Sequence, residues 1–284
     1  MGRLSALKTF SSTVNKNDYH YISCNICGSQ STKIYLESKD YLYVKCRMCG
    51  LIYQNPQPIL KDIEDRYNND YFQYEYTNEE NFFNLMLLGL KDIGFSPLKL
   101  QQWKHKHFLD IGCATGKLLA YMKTLGWQVQ GVEICKESSE YGMKKRQVPI
   151  FTGTLAQAQF DDEHFSLIHF SHLIEHVADP HALLKEVRRI LRPDGMAVIA
   201  TPNCDGFQAR LLGRYWRSAI ADHLFLFSKK TLSRLLESMH FKIHKIVTWG
   251  GLAKGLAPPF IKKPVDYLAK KLGTGDVMLF LVRK

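Results

Sequence analysis

From about residue 100 onward, apolar positions alternate between short runs and helical stripes. Phe108-Leu-Asp-Ile111 predicts a buried strand, and Leu118, Leu119, Met122 and Leu125 share one face of a helix over 117–125 that Gly126 closes. Residues 128–132 predict a second strand, ending in Glu133. A polar helix over 137–147, cationic at its C-terminal end, leads into a strand at 148–151. The turn and run over 161–170 predict a fourth strand that ends in Ser171-His-Leu-Ile-Glu-His176. Asp179-Pro180 caps a helix with Leu183, Leu184, Val187, Ile190 and Leu191 inward, and Pro193-Asp-Gly195 turns into a strand over 196–201. Ser228 caps a further helix. Residues 241–247 and 277–282 read as an antiparallel pair around a Gly/Pro-rich excursion over 250–264. Strand and helix alternating in this way predict an α/β fold, a doubly wound Rossmann-like sheet.

The first hundred residues follow another pattern. Cys24-Asn-Ile-Cys27 and Cys46-Arg-Met-Cys49 are eighteen residues apart, and each pair is followed by glycine. That spacing suits a four-thiolate zinc site, with strands at 33–36 and 41–44 between the pairs, and so a small zinc ribbon. A closed four-cysteine site leaves no open coordination position, so its role is structural or interactive and not catalytic. It would staple a segment too short to bury a core of its own, and its loss is expected to unfold that segment alone. A redox dithiol or two disulfides are the alternatives, but Cys113, Cys135 and Cys204 have no such pairing. Asn55-Pro-Gln-Pro58 is a stiff linker, followed by helical segments over 60–67 and 79–93 with five aromatic residues between Tyr67 and Tyr76.

Composition bounds the class without naming the chemistry. In 284 residues, 45% hydrophobic and 23% charged content is that of a globular protein with one full domain and room for a small second one. A formal charge of +11 favours an anionic partner, yet the basic residues are scattered in twos and threes. No apolar run reaches membrane-span length and no signal-peptide core is visible, so a cytoplasmic location is expected. Residues 1–17 contain Arg3, Lys8 and Lys16 but no acid, a composition faintly like an organelle transit peptide.

A strand, a glycine turn, a helix and a second strand ending in a carboxylate form a nucleotide-binding half. The glycines of Gly112-Cys-Ala-Thr-Gly116 are spaced for neither a dinucleotide fingerprint nor a phosphate loop. Asp110-x-Gly112-x-x-x-Gly116 with Glu133 resembles class I S-adenosylmethionine-dependent methyltransferases. The series His176-Val-Ala-Asp-Pro180, Leu191-Arg-Pro-Asp-Gly195 and Thr201-Pro-Asn203 agrees in order. The resemblance implies that Asp110, Gly112, Cys113, Gly116, Phe170 and Ser171 bind the cofactor and that Glu133 holds its ribose. Thr154 and Ser166 stand where relatives often carry acids. The implied organisation is a flexible tail over 1–20, a zinc ribbon over 21–56, a helical linker or lid over 57–97 and an S-adenosylmethionine-binding domain over 98–284.

With its ribbon, the chain resembles bacterial methyltransferases of surface-polysaccharide and natural-product pathways. That implies O-methylation of a sugar, glycan or other small-molecule hydroxyl. Sugar C-methyltransferases with an N-terminal zinc site carry a further C-terminal domain for which there is no room here. His172-x-x-Glu175-His176 resembles the Glu-x-x-Glu-His motif of ubiquinone-pathway and small-RNA 2′-O-methyltransferases, and His223 in Asp222-His-Leu-Phe225 matches a histidine of the latter. A helical turn would point 172, 175 and 176 at one place. The resemblance implies a second divalent metal, although His172 stands where those families have Glu. Otherwise His176 and His223 hydrogen-bond in the core and His172 is a lone general base. Arg210, Arg214 and Arg217 at helical spacing read either as an anion grip or as a solvated face. The rival class is a zinc-ribbon nucleic-acid binder or an RNA ribose 2′-O-methyltransferase. The ribbon's mixed charges (Lys33, Lys39, Lys45 and Arg47 beside Glu37 and Asp40) make nucleic acid the less expected partner.

Overall fold

The computed structural model describes residues 19–59, 67–251 and 258–284; the tail over 1–18 and almost all of the helix expected over 60–67 lie outside these. Five short strands come first: β1 (Tyr19–His20), β2 (Thr32–Glu37), β3 (Leu42–Cys46), β4 (Ile52–Gln54) and β5 (Gln57–Pro58). They are followed by β6 (His107–Ile111), β7 (Gln128–Glu133), β8 (Ile150–Thr152), β9 (Phe165–Ser171), β10 (Leu191–Pro202), β11 (Phe225–Leu226), β12 (Lys242–Trp249) and β13 (Val277–Arg283).

The main sheet has seven strands in the order β12-β13-β10-β9-β6-β7-β8, and only β13 runs against the rest. This is the expected Rossmann-like, mostly parallel arrangement. Chain order reverses between β6 and β9, which opens a crevice at their carboxyl ends where such sheets bind ligands. Ile111 is in register with both Val132 and Phe170. Glu133, Ser171 and the glycine turn after Ile111 therefore leave the sheet side by side.

Three elements depart from the hydrophobic pattern. The helix expected from Glu79 begins ten residues earlier and spans Asn69–Asp92, with Asn68 capping it by accepting the Asp70 amide at 3.0 Å. Its early turns carry aromatics facing several directions, so no single apolar stripe marks them. Pro193-Asp-Gly195 is not a turn before a strand; it is an irregular stretch inside β10, where the register against β9 shifts between Leu191 and Met196. The Gly/Pro-rich excursion becomes a helix from Pro259–Leu272, with Pro at its first turn, Pro264 inside it and Gly273 ending it at φ +66°.

The cysteine-bearing segment is not self-contained. Its sheet runs β11-β4-β3-β2, and the edge strand β11 comes from the far end of the chain, with Phe225 opposite Tyr53 and Leu226 opposite Ile52. Leu51, Tyr53, Phe225 and Phe227 belong to one buried cluster with Ile111, Phe170 and Leu235. That shared core argues against the expectation that this segment would unfold alone. An apolar layer common to both sheets predicts that their stabilities are interdependent.

Candidate functional site

The turn after β6 alternates into the left-handed region at Gly112 (φ +70°), Ala114 (φ +46°) and Gly116 (φ +72°). At Gly116 an added Cβ would stand 2.9 Å from Val148 Cγ2, so both space and backbone require glycine. At Gly112 it would meet only Leu173, at 3.7 Å, so that side of the turn is open for a ligand. Glu133, buried, accepts the Ala114 amide through Oε2 and the Cys135 amide through Oε1, both at 2.8 Å. Burial raises its pKa and these amides work against that. The carboxylate thus holds the turn, and each oxygen keeps a lone pair.

Asp110 lies beneath the turn, buried, with His169 Nδ1 from β9 2.7 Å from Oδ1. Burial raises the Asp110 pKa, and the imidazole counters it. The motif pattern pointed to Asp110 but not to His169, which reads in sequence as one more position of an apolar strand. Two of the expected cofactor contacts, Phe170 and Cys113, keep their side chains in the core. The Phe170 side chain is fully inside the core, and the buried Cys113 side chain packs inward, 2.6 Å from where a Cβ on Gly131 would stand. Only their backbone can face a ligand. Ser171 stands half-buried at the strand end.

The long helix covers this crevice. Glu79 accepts from Thr115 Oγ1 at 2.9 Å and from Arg146 Nη2 at 2.5 Å, Glu80 pairs with Lys117, and Cys135 Sγ lies 3.9 Å from the Asn68 carbonyl. Tyr71 and Glu75 fall between these anchors on the same helical side. Burial and the nearby Glu133 push Glu75 up to about 7, against the opposing pull of His172. Sequence reading missed Glu75, because a single acid in an aromatic-rich stretch has no motif to flag it.

Beyond β9 the chain does not make the expected helical turn. His172 takes a left-handed φ of +52°, and a tight turn follows in which the His176 amide donates to the Leu173 carbonyl at 2.9 Å. A left-handed histidine at a strand end is uncommon and concentrates at functional positions. The turn brings ligand atoms of Glu175, His176 and His223 within 4.8 Å of one another. His172, half-exposed, stays outside that trio, with Nδ1 3.2 Å from Glu175 Oε1. Thr201 Oγ1 donates to Glu175 Oε2 at 2.9 Å. His176 Nδ1 donates to the Asp222 carbonyl at 3.0 Å, and His223 Nδ1 donates to the Ser218 carbonyl at 2.8 Å. A carbonyl can only accept, so both rings carry the proton on Nδ1 and leave Nε2 with a lone pair. Burial and His176 push His223 down to about 4, which keeps it neutral at pH 7. Burial alone would raise Glu175; the hydrogen bond from His172 and the three imidazoles bring it down to about 2.

The sulfur atoms of Cys24, Cys27, Cys46 and Cys49 also lie within 4.8 Å of one another. The Cys24–Cys49 and Cys27–Cys46 sulfur separations, 3.3 and 3.5 Å, are far beyond a disulfide bond and close to the spacing of thiolates around one tetrahedral ion. The amides of Cys49 and Met48 aim at Cys46 and, against burial, bring its thiol down to about 7. This set fits a metal.

The three arginines do not form one face. The helix Phe207–Leu212 ends at Gly213, before Arg214, and Arg217 pairs with the buried Asp276 at 2.7 Å. Asp276 also accepts from Trp216 Nε1 at 2.5 Å. No helix among the described residues is long and apolar enough to cross a membrane.

A family model described as a methyltransferase domain matches residues 94–246. Among curated proteins, the chain is similar to the ubiquinone biosynthesis O-methyltransferases of Parvibaculum lavamentivorans and Glaesserella parasuis. The first is 34% identical over 119 residues, covering 39% of this chain and 46% of that protein. The second is 29% identical over 108 residues, covering 34% and 46%. The chain therefore spans just under half the length of these relatives. Among solved structures, an S-adenosylmethionine-dependent methyltransferase from Thermotoga maritima aligns with TM-score 0.51 at 23% identity, covering 72% of this chain and 97% of that one. Another from Archaeoglobus fulgidus aligns with TM-score 0.52 at 17% identity, covering 75% and 99%.

Proposed function

We propose, from the premise that the chain belongs to the methyltransferase-domain family and is an S-adenosylmethionine-dependent methyltransferase, that it methylates a hydroxyl of a small-molecule acceptor. The observation that carries this reading is the cluster of His172, Glu175, His176 and His223 beside the glycine turn. It offers a proton acceptor and oxygen-orienting groups where a hydroxyl must approach the methyl donor. The O-methyltransferase relatives support an oxygen acceptor. A sugar or glycan hydroxyl on a phosphate- or carboxylate-bearing molecule is the favoured class, in keeping with the +11 charge of the chain.

S-adenosylmethionine supplies an electrophilic methyl group on a sulfonium. The chain supplies position, dryness and proton handling. The open side of Gly112 admits the methionine end, above the Asp110–His169 pair. The lone pairs of Glu133 not used by Ala114 and Cys135 would accept the ribose hydroxyls. The helix Asn69–Asp92 keeps water from the crevice. His172 would take the acceptor's hydroxyl proton at Nε2 while Nδ1–H donates to Glu175, which stabilises the imidazolium that forms.

A carboxylate oxygen of Glu175 and the free Nε2 atoms of His176 and His223 would hold a divalent ion. It would lower the acceptor hydroxyl's pKa and orient it. Two imidazoles and one carboxylate favour zinc, iron, cobalt or manganese over magnesium. Cys24, Cys27, Cys46 and Cys49 would hold a structural zinc ion.

The test is label uptake from methyl-labelled cofactor across nucleotide-sugars, glycans, phenols, amines and RNA. Alkali-stable label on a hydroxylated small molecule is expected. Label confined to amine acceptors or to RNA would overturn the proposal.

A further inference from the structure

The segment 218–224, which carries His223, lies outside helix and strand, yet every one of its carbonyls accepts a hydrogen bond. Ser218 and Asp222 accept from His223 and His176 Nδ1. All the others accept from the cysteine-bearing sheet, some 170 residues away in sequence. Tyr41 Oη lies 2.5 Å from the Ala219 carbonyl oxygen, and the Gln54 amide donates to the Leu224 carbonyl at 2.9 Å. Tyr43 Oη lies 2.8 Å from the Ile220 oxygen and 2.6 Å from that of His223. Gln54 Nε2 lies 2.7 Å from the oxygens of both Ala221 and His223. One phenol proton and two amide protons thus serve three carbonyls, and both side chains are buried. On its other side, the Leu224 amide donates to the Glu175 carbonyl at 2.8 Å.

Ser218, Ala219, His223 and Leu224 are buried, so their backbone carbonyls need donors, and these donors come in fixed places. We propose that Tyr43 and Gln54 are positioning residues for methyl transfer. They hold the 218–224 segment so that His223 meets Glu175 and His176, which makes the cysteine-bearing sheet part of the acceptor site. Cys46 ends β3, one turn from β4, so the four-cysteine cluster fixes the two strands that carry Tyr43 and Gln54. The β11–β4 pairing anchors the segment's exit. The proposal rests on the reading that His223 serves the acceptor.

The test compares Tyr43→Phe, Gln54→Met and the double variant with His223→Ala. Acceptor turnover, cofactor Kd by calorimetry, and imidazole nitrogen resonances of 15N-histidine-labelled protein are measured. A displacement of about 1 Å costs on the order of 100-fold in rate. Each single variant is therefore expected to lose about 10-fold and the double about 100-fold in kcat/KM for the acceptor. Cofactor Kd should stay unchanged, and the His223 resonance should move to that of an imidazole exchanging between tautomers. Folded variants with wild-type kcat/KM and an unmoved His223 resonance would overturn the proposal, provided His223→Ala is inactive. If His223→Ala itself retains full activity, the underlying reading of His223 fails and the proposal falls with it. Tyr43→Phe removes a single oxygen, so it keeps the test decisive if the double variant does not fold.

Discussion

Glu133 Oε2 accepts the amide of Ala114 at 2.8 Å, and that bond holds a non-glycine residue in the left-handed region at the centre of the glycine turn. The carboxylate at the end of β7 therefore shapes the turn as well as facing the crevice. Glu133→Ala is expected to weaken S-adenosylmethionine binding by about 1–3 kcal/mol, as when the partner of buried hydroxyls is lost. Gly112→Val should abolish binding, because a branched side chain would occupy the open side of the turn in a strained backbone. Calorimetry is the measurement, and unchanged affinity in both variants would refute the placement.

One equivalent of zinc should copurify with the reduced protein, and Cys46→Ser should release it. Since Leu51 and Tyr53 share a core with Phe170 and Leu235, the variant should melt in one transition lowered by roughly 5–10 °C. Calorimetry showing an unshifted main transition beside a separate early one would mean that the two sheets are independent.

Glu75 is held up at about 7, above the ordinary carboxylate range, first by burial and then by Glu133. A raised acid binds its proton more tightly in the folded state, so the protein loses stability as pH climbs from about 4.5 to about 7. Glu75→Gln should match the wild type near pH 4.5 and exceed it by about 1–3 kcal/mol at pH 8. Denaturant titrations at the two pH values check this, and a pH-independent difference would contradict it.

His172→Ala should lower turnover by about 100- to 10,000-fold with little change in cofactor affinity, the usual cost of losing a general base. EDTA at a dose that leaves the cysteine-bound zinc in place separates the two roles. Lost turnover, restored by manganese or cobalt, is expected if Glu175, His176 and His223 hold an ion. If EDTA changes nothing while His172→Ala is inactive, the ion is ruled out and the base stands.

The α/β alternation, the glycine turn and the acid that follows it were legible in the sequence, and so were the paired cysteines. Each depends on local chemistry: period, left-handed glycine, capping, ligand spacing. The histidine cluster was legible only in part. The motif named its four members, but the left-handed backbone at His172 set one of them apart from the metal-sized trio. His169 and Glu75 were not legible, since their meaning comes from Asp110 and Glu133 across the sheet and crevice.

The sequence by itself determined which class of ligand the parallel sheet can hold, because a turn's backbone and the carboxylate after it are written within some 25 consecutive residues. Only the tertiary structure decided that the cysteine-bearing strands and the His223 segment are one unit. The carbonyls over 218–224, outside helix and strand, could have found donors in many places, and no local pattern distinguishes Tyr43 and Gln54 from other strand residues. Their selection is a matter of long-range pairing, in which β11 joins β4 and every buried acceptor along the segment meets a donor.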